Sequence, residues 1–150
     1  MESWLRFRRL NGRDRRIVLA AAAALVLIRS SLRLLGFRFS KAALQLTFPA
    51  SLSKPEACFD VSAIASLEAA ASRHLFFRPN CLERSLVLWW LLGRRRIPAK
   101  LRIGVKKEGG SFEAHAWVES GGVVWNDPGA EHRHFIPLSG AFPSLEAESR

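Results

Sequence analysis

The sequence lacks the features on which several classes of small protein depend. It has two cysteines among 150 residues, Cys58 and Cys81, which are too few for a disulfide scaffold, and neither has a second cysteine at the CxxC spacing of a zinc site. No apolar run approaches the about 20 residues that cross a bilayer core. The longest, residues 17–28, holds 12 residues between Arg16 and Arg29, so we expect it to be too short to span a membrane.

An export signal is also missing, although the basic front and the apolar middle of residues 1–28 resemble one. A cleavage site of the small-x-small type should follow, but the next residues are Arg29-Ser30-Ser31-Leu32. We therefore expect a cytoplasmic protein, in a reducing compartment where a thiol stays free.

The same stretch favours a helix over residues 14–35. Asn11 or Asp14 could cap its start and Gly36 could end it. Its apolar positions recur at helical spacing, as in Leu25, Ile28, Leu32 and Leu35. Such an amphipathic helix packs on the domain, or lies peripherally on an anionic membrane surface, or holds a partner.

Acidic residues are scarce, and their distribution is uneven. The net charge is +10, with +8 in residues 1–50, −1 in residues 51–77, +8 in residues 78–107 and −5 in residues 108–150. A high positive charge is typical of proteins that bind nucleic acid, so nucleic-acid binding remains a competing function. Neither a strand of interleaved aromatic and basic residues nor a helix-turn-helix is recognisable, which argues against nucleic acid as the partner.

The length is that of one domain, and an apolar content of 49% is enough for a packed core. Residues 47–60 contain Pro49, Ser51, Ser53 and Pro55 and are typical of a loop or linker. We therefore expect a basic helical segment over residues 1–50 that packs on a domain over residues 51–150.

Within that domain, helices are expected before strands. Apolar spacing predicts a helix over residues 61–75 and another from Cys81 to Gly93, with Asn80 as the N-cap of the second. Three strands separated by glycine turns follow, over residues 101–105, 112–119 and 123–127. Helices followed by an antiparallel sheet predict an α+β fold.

Cys81 is the most informative local feature, because it begins a predicted helix. The helix dipole and the unpaired backbone N–H groups favour a thiolate at that position, and Arg78 and Arg84 add positive charge nearby. The alternative is that Cys81 is a small buried apolar residue, as most free cysteines are.

His115 strengthens the catalytic interpretation of Cys81. If the Ser-Gly-Gly loop after its strand is a three-residue hairpin turn, His115 lies opposite Asp127, and Trp117 lies opposite Trp125. A thiol, a histidine to deprotonate it and an aspartate to orient that histidine are the parts of an acyl-transfer triad. We therefore expect Cys81, His115 and Asp127 to form a catalytic site flanked by the two tryptophans.

Three segments carry a resemblance to a known family; they are Cys81–Leu86, Ile97–Val105 and Phe112–Glu119. In their order and flanking residues they resemble the leader peptidase of lasso peptide biosynthesis, the peptidase half of the lasso B protein, which has a transglutaminase-like (papain-like) fold. The resemblance implies that Cys81 is the nucleophile, His115 the general base and acid, and Asp127 the residue that orients His115.

The same resemblance implies hydrolysis of a ribosomally made precursor peptide at its leader–core junction, without a cofactor or metal. The leader of such precursors typically has threonine as its penultimate residue. A separate winged-helix recognition protein would present the leader, since residues 1–50 are too few and too helical to contain that element. A lasso cyclase would then join the new core N-terminus to an Asp or Glu side chain.

Other functions remain open from the residues alone. His132 and His134 could bind a metal with Asp127 or Glu131. The run of residues 94–96, all arginine, is either a solvated turn or a docking site for an acidic leader, a recognition protein or a membrane. The chain could also be an inactive transglutaminase-like scaffold of a peptide-maturation complex.

Overall fold

Four helices followed by a four-stranded antiparallel sheet make up the fold in a computed structural model, which describes residues 10–49 and 60–138. The helices are α1 (Gly12–Leu34), α2 (Gly36–Gln45), α3 (Val61–Arg73) and α4 (Cys81–Gly93). The strands are β1 (Lys100–Glu108), β2 (Ser111–Ser120), β3 (Val123–Val124) and β4 (Ile136–Pro137). A short 3₁₀ helix, Glu131–His134, lies between β3 and β4. This order confirms the predicted α+β class.

Helix α1 begins with a side-chain cap and buries one face. The Oδ1 atom of Asn11 accepts a hydrogen bond from the N–H of Asp14 at 2.8 Å, which satisfies a donor that the helix start leaves unpaired. The inward positions follow helical spacing and are Ile17, Ala21, Ala24, Leu25 and Ile28. Gly36 does more than end this helix, because its positive φ of 79° redirects the chain directly into α2.

Helix α1 is longer than the apolar run within it. It has 23 residues and, by length and composition alone, is long and apolar enough to cross a membrane. This corrects the expectation that the stretch is too short, because the helix continues past Ile28 as far as Leu34. Only 28% of its apolar window is buried inside the structure, where Ile17 and Leu25 pack into the core while Leu27 stays exposed.

Helix α4 forms the centre of the core, with five apolar side chains that are at most 1% exposed: Leu86, Val87, Leu88, Leu91 and Leu92. A capping box fixes its start. The side chain of Asn80 accepts from the N–H of Glu83 at 2.8 Å, and the carboxylate of Glu83 accepts from the N–H of Asn80 at 3.0 Å. Asn80 is thus confirmed as the N-cap and Cys81 as the first helical residue.

The helices and the inner face of the sheet share one core, in which Ile28, Ile64, Leu88 and Val118 belong to the same cluster. Core residues lie on both sides of residue 50, so α1 packs into the same core as the later helices and the sheet. The division into residues 1–50 and 51–150 stays a prediction. Cys58 and most of the expected linker lie outside the described residues.

The strand order in the sheet is β3-β2-β1-β4, and every pairing is antiparallel. In the long β1–β2 pairing, Gly104 lies opposite His115 and Arg102 opposite Trp117. Residues alternate between the two faces, so Val118 packs into the helical core while Trp117 and His115 occupy the other face.

The hairpin between β2 and β3 differs from the predicted one by one residue. Gly121 and Gly122 have φ values of +60° and +77°, which two consecutive glycines adopt without strain in a two-residue turn. Ser120 therefore pairs with Val123, and the expected three-residue loop was wrong.

With this register β3 is shorter than predicted, and Trp125 does not lie where the sequence predicted it, beside His115. The strand ends at Val124, so Asp127 reaches the site from a loop and not from a strand position opposite His115. The indole of Trp125 donates to the carbonyl of Ser120 at 3.1 Å and packs against the core, so it does not flank His115.

An ion pair between the buried Glu68 and the partly exposed Arg84 links α3 to α4. The guanidinium of Arg84 donates to both oxygens of Glu68, at 3.1 and 3.3 Å, and the Glu68 side chain is 0% exposed. Burial raises the pKa of Glu68, although the hydrogen bond and charge of Arg84 and the charge of Arg73 oppose that shift. The contribution of Glu68 to stability is therefore greatest below the ordinary pKa of glutamate and declines as the pH rises through the raised pKa.

We predict that Arg84→Ala lowers the free energy of unfolding by about 3 kcal/mol at neutral pH, because it leaves the buried Glu68 carboxylate without its cation. Adding Glu68→Gln should recover most of that loss, since the neutral amide needs no counter-charge. Urea unfolding of the single and double variants measures both effects. A double variant no more stable than Arg84→Ala would contradict this account of the pair.

Candidate active site

Cys81 is a free, half-buried cysteine at the first position of α4. Two contacts of the Glu83 carboxylate stabilise the start of this helix. It accepts a hydrogen bond from the N–H of Asn80, and it lies 3.4 Å from the guanidinium of Arg29. Arg29 in turn lies over the ring of Phe77, 4.5 Å from its centroid. The start of α4, and with it the thiol-bearing backbone, is therefore anchored to α1.

His115 and Asp127 face each other in a buried setting. The Nε2 atom of His115 lies 3.6 Å from Oδ1 of Asp127, and their side chains are 14% and 4% exposed. Nε2 is buried and has no hydrogen-bond partner among the described residues. The structure thus brings together two of the three predicted residues, despite the error in the predicted hairpin register.

Aromatic rings hold the imidazole of His115 on two sides. Trp117 stacks with it at a centroid distance of 6.0 Å, and Phe135 lies at 5.2 Å. Space for these rings comes from Gly104, where an added Cβ would lie 2.8 Å from Cβ of Phe135 and 2.9 Å from Cη2 of Trp117. The prediction that Trp117 lies beside His115 is therefore confirmed, and Phe135 takes the second flank.

His132 is the closest partner of Asp127, a role different from the metal ligand that its sequence pattern suggests. Its Nδ1–H and its backbone N–H both donate to Oδ2 of Asp127 at 2.7 Å. Burial by itself would raise the pKa of Asp127. The hydrogen bonds from the backbone and side chain of His132 and from the backbone of Glu131, with the charge of His115, outweigh burial and hold that pKa below its ordinary value.

A network of three hydrogen bonds joins the elements that carry the three predicted residues. The amide of Asn126 accepts from the N–H of Val118 at 2.8 Å and donates to the hydroxyl of Ser85 at 2.7 Å. The same hydroxyl donates to the carbonyl of Ala116 at 2.9 Å. We call Asn126, Ser85 and the Ala116 carbonyl the polar node; Ser85 is fully buried and Asn126 is half-buried.

Each member of the node is a close neighbour of one predicted site residue. Ser85 lies one helical turn after Cys81, and the two share a face of α4. Ala116 follows His115 and Asn126 precedes Asp127. The helix start, the strand and the loop are thereby held to one another. No hydrogen bond joins Cys81 to His115 among the described contacts.

Glu131 adds a third donor beside the histidine–aspartate pair. One donor atom each from His115, Asp127 and Glu131 lies within 4.8 Å of the others, which is the minimum set for a metal ion. The sequence suggested a metal site at His132 and His134. Among the described residues, the group close enough to hold a metal ion is a different one, because it contains His115 and neither of those histidines.

The family of the chain follows from comparison with known proteins. The model of the transglutaminase-like superfamily matches residues 24–140, so the chain belongs to that superfamily. The matched residues include the second half of α1, the other three helices and the sheet, and contain Cys81, His115 and Asp127.

A curated relative extends this result. The chain is 45% identical over 51 residues to the microcin J25-processing protein McjB of Escherichia coli, a match that covers 34% of this chain and 24% of that protein. No solved structure matches the chain. The family and the relative together confirm the predicted resemblance to a B-type protein of lasso peptide biosynthesis.

We predict that Ser85→Ala destabilises the protein by about 1–3 kcal/mol, because it leaves the Asn126 amide and the Ala116 carbonyl buried without their shared partner. Urea unfolding measures this loss. Ser62→Ala, at an exposed hydroxyl in the first turn of α3, is the matched control and should cost less. Equal losses from the two variants would show that the node is not a structural constraint.

We also predict that Asp127 makes the stability of the protein depend on pH. Because its pKa is lowered by folding, its contribution is complete above the unfolded value of about 3.9 and is lost as the pH falls through the folded pKa. The difference in unfolding free energy between the wild type and Asp127→Asn should therefore shrink in acid. Chemical denaturation from neutral pH to about pH 3 tests this. A difference that does not change with pH would contradict it.

Proposed function

We propose that this protein is a cysteine peptidase that removes the leader from a ribosomally made lasso precursor peptide. The observation that carries the proposal is the buried contact between His115 and Asp127, held by the polar node to the helix that begins at Cys81. Membership of the transglutaminase-like superfamily supports the thiol chemistry, and similarity to a microcin-processing protein supports a peptide precursor as substrate.

The proposed reaction divides peptide hydrolysis into two steps. Because Nε2 of His115 faces Asp127, Nδ1 is the nitrogen that takes the proton of Cys81 as sulfur attacks the scissile carbonyl. The imidazolium then gives that proton to the leaving amine, the N-terminus of the core, and a thioester to the leader remains. His115 next takes a proton from water, whose oxygen attacks the thioester and releases the leader acid and the free thiol.

The start of α4 also supplies an electrostatic element. The cap uses the N–H of Glu83, so the N–H of Cys81 at the first helical position is the natural donor to the oxyanion of the tetrahedral intermediate. The positive end of the α4 dipole lies at the same place and stabilises both a thiolate and that oxyanion. Asp127 keeps its charge at neutral pH, because its pKa is lowered, and can therefore stabilise the imidazolium of His115.

Partners and location belong to the same proposal. A separate winged-helix recognition protein presents the leader, cleavage falls at the leader–core junction, and a lasso cyclase takes the released core. The reaction takes place in the cytoplasm, where the thiol of Cys81 stays reduced. Helix α1 exposes Leu19, Leu27 and Leu34, which would suit peripheral contact at the inner face of the membrane. Nucleic acid is not a partner in this proposal.

Mass spectrometry of a precursor peptide mixed with this protein, with and without the recognition protein, tests the activity. We predict one cut at the leader–core junction, at least about 10³-fold slower in Cys81→Ala and in His115→Ala, because each removes a member of the proton-transfer pair. Cys58→Ala is the matched control and should cleave at the wild-type rate.

The two competing functions predict different outcomes when the precursor, or an oligonucleotide, is mixed with the protein. A scaffold of a peptide-maturation complex would bind precursor without cutting it, and binding would persist in Cys81→Ala. Retention of an oligonucleotide, with no cut in any mixture, would favour the nucleic-acid-binding alternative.

A further inference from the structure

A basic cavity lies between the first turn of α1 and the last turn of α4, at the end of α4 opposite Cys81. It has a volume of about 550 Å³, and its walls include four arginines with an apolar and an aromatic side chain: Arg13, Arg16, Arg94, Arg95, Ile17 and Trp90. None of the described residues that line it is acidic. We call this cavity the basic cleft.

The helix dipoles do not favour the concentration of positive charge in the basic cleft. Arg13 and Arg16 lie in the first turns of α1, where the positive end of the helix dipole makes cations unfavourable. Arg94, at the end of α4, faces the negative end of its own helix dipole but adds to the positive potential inside the cleft. An anionic ligand in the cleft would lower the energy of the Arg16 and Arg94 charges together.

The walls of the basic cleft also indicate the kind of anion. Trp90 is held in place, since its indole donates to the hydroxyl of Thr47 at 2.9 Å, and the guanidinium of Arg94 lies 5.5 Å from the centroid of its ring. Ile17 and Trp90 give apolar contact, while guanidinium groups bind carboxylates in a paired geometry. A peptide that mixes acidic and apolar side chains fits this combination better than a bare phosphate.

We propose that the basic cleft binds an acidic segment of the substrate peptide, an inference that rests on the proposed peptidase function. Helix α4 has 13 residues and spans about 20 Å from Cys81 to the cleft. An extended peptide advances about 3.3 Å per residue. The acidic segment therefore lies at least about six residues from the scissile bond, and the cleft acts as an anchoring site remote from the chemistry.

The first test measures binding without cleavage, in the Cys81→Ala protein. A fluorescent peptide rich in Asp and Glu and its Asn and Gln counterpart are compared by anisotropy. We expect the acidic peptide to bind at least about tenfold more tightly, an advantage that falls as salt rises. Arg16→Glu with Arg94→Glu should abolish this advantage, whereas Arg38→Glu, at an exposed position on α2, should preserve it.

The second test measures cleavage of a precursor with and without its acidic residues. Charge reversal of the basic cleft should raise KM for the acidic precursor and leave kcat unchanged, because the cleft does not touch the reacting atoms. Equal affinity for both peptides, or no effect of the double substitution, would overturn the proposal. So would an oligonucleotide that displaces the acidic peptide and binds more tightly. Selective acidic binding without cleavage would instead contradict the proposed peptidase function.

Discussion

The site depends on one buried constraint, the hydrogen-bonded link between Asn126 and Ser85. An amide and a hydroxyl, completed by a backbone carbonyl on β2, fix the positions of a helix, a strand and a loop that are distant in sequence. Each group is satisfied by the others, and loss of one would leave its partners buried and unpaired. This explains how Asp127 comes to lie 3.6 Å from His115 although it does not belong to a paired strand.

A second set of polar contacts connects the helical half of the fold to the site. Arg29 of α1 reaches Glu83 at the cap of α4, and Arg84 of α4 reaches the buried Glu68 of α3. Such pairs contribute little net stability, because burial of the charges costs about as much as their attraction returns. They do fix the rotation of α4 about its axis, and with it the direction in which the Cys81 side chain leaves the helix.

The sequence was most informative where structure is local. Helix α4 has the predicted bounds because Asn80 and Gly93 are strong capping and terminating residues, and the fold class followed from apolar periodicity. The hairpin register was wrong by one residue, since a Ser-Gly-Gly stretch permits both two- and three-residue turns. His132 and Asn126 could not be recognised as partners of Asp127 and Ser85, because their roles arise only when the loop after β3 packs against β2 and α4.

We propose that this packing presents His115 to Cys81 as its base. The most direct measurement is the rate at which iodoacetamide alkylates Cys81 at mildly acidic pH, in a Cys58→Ala background that leaves a single thiol. We predict that His115→Ala slows alkylation at least about tenfold, because it removes the imidazole that takes the proton of the thiol. Unchanged alkylation in His115→Ala would show that the two side chains do not act together and would contradict the account.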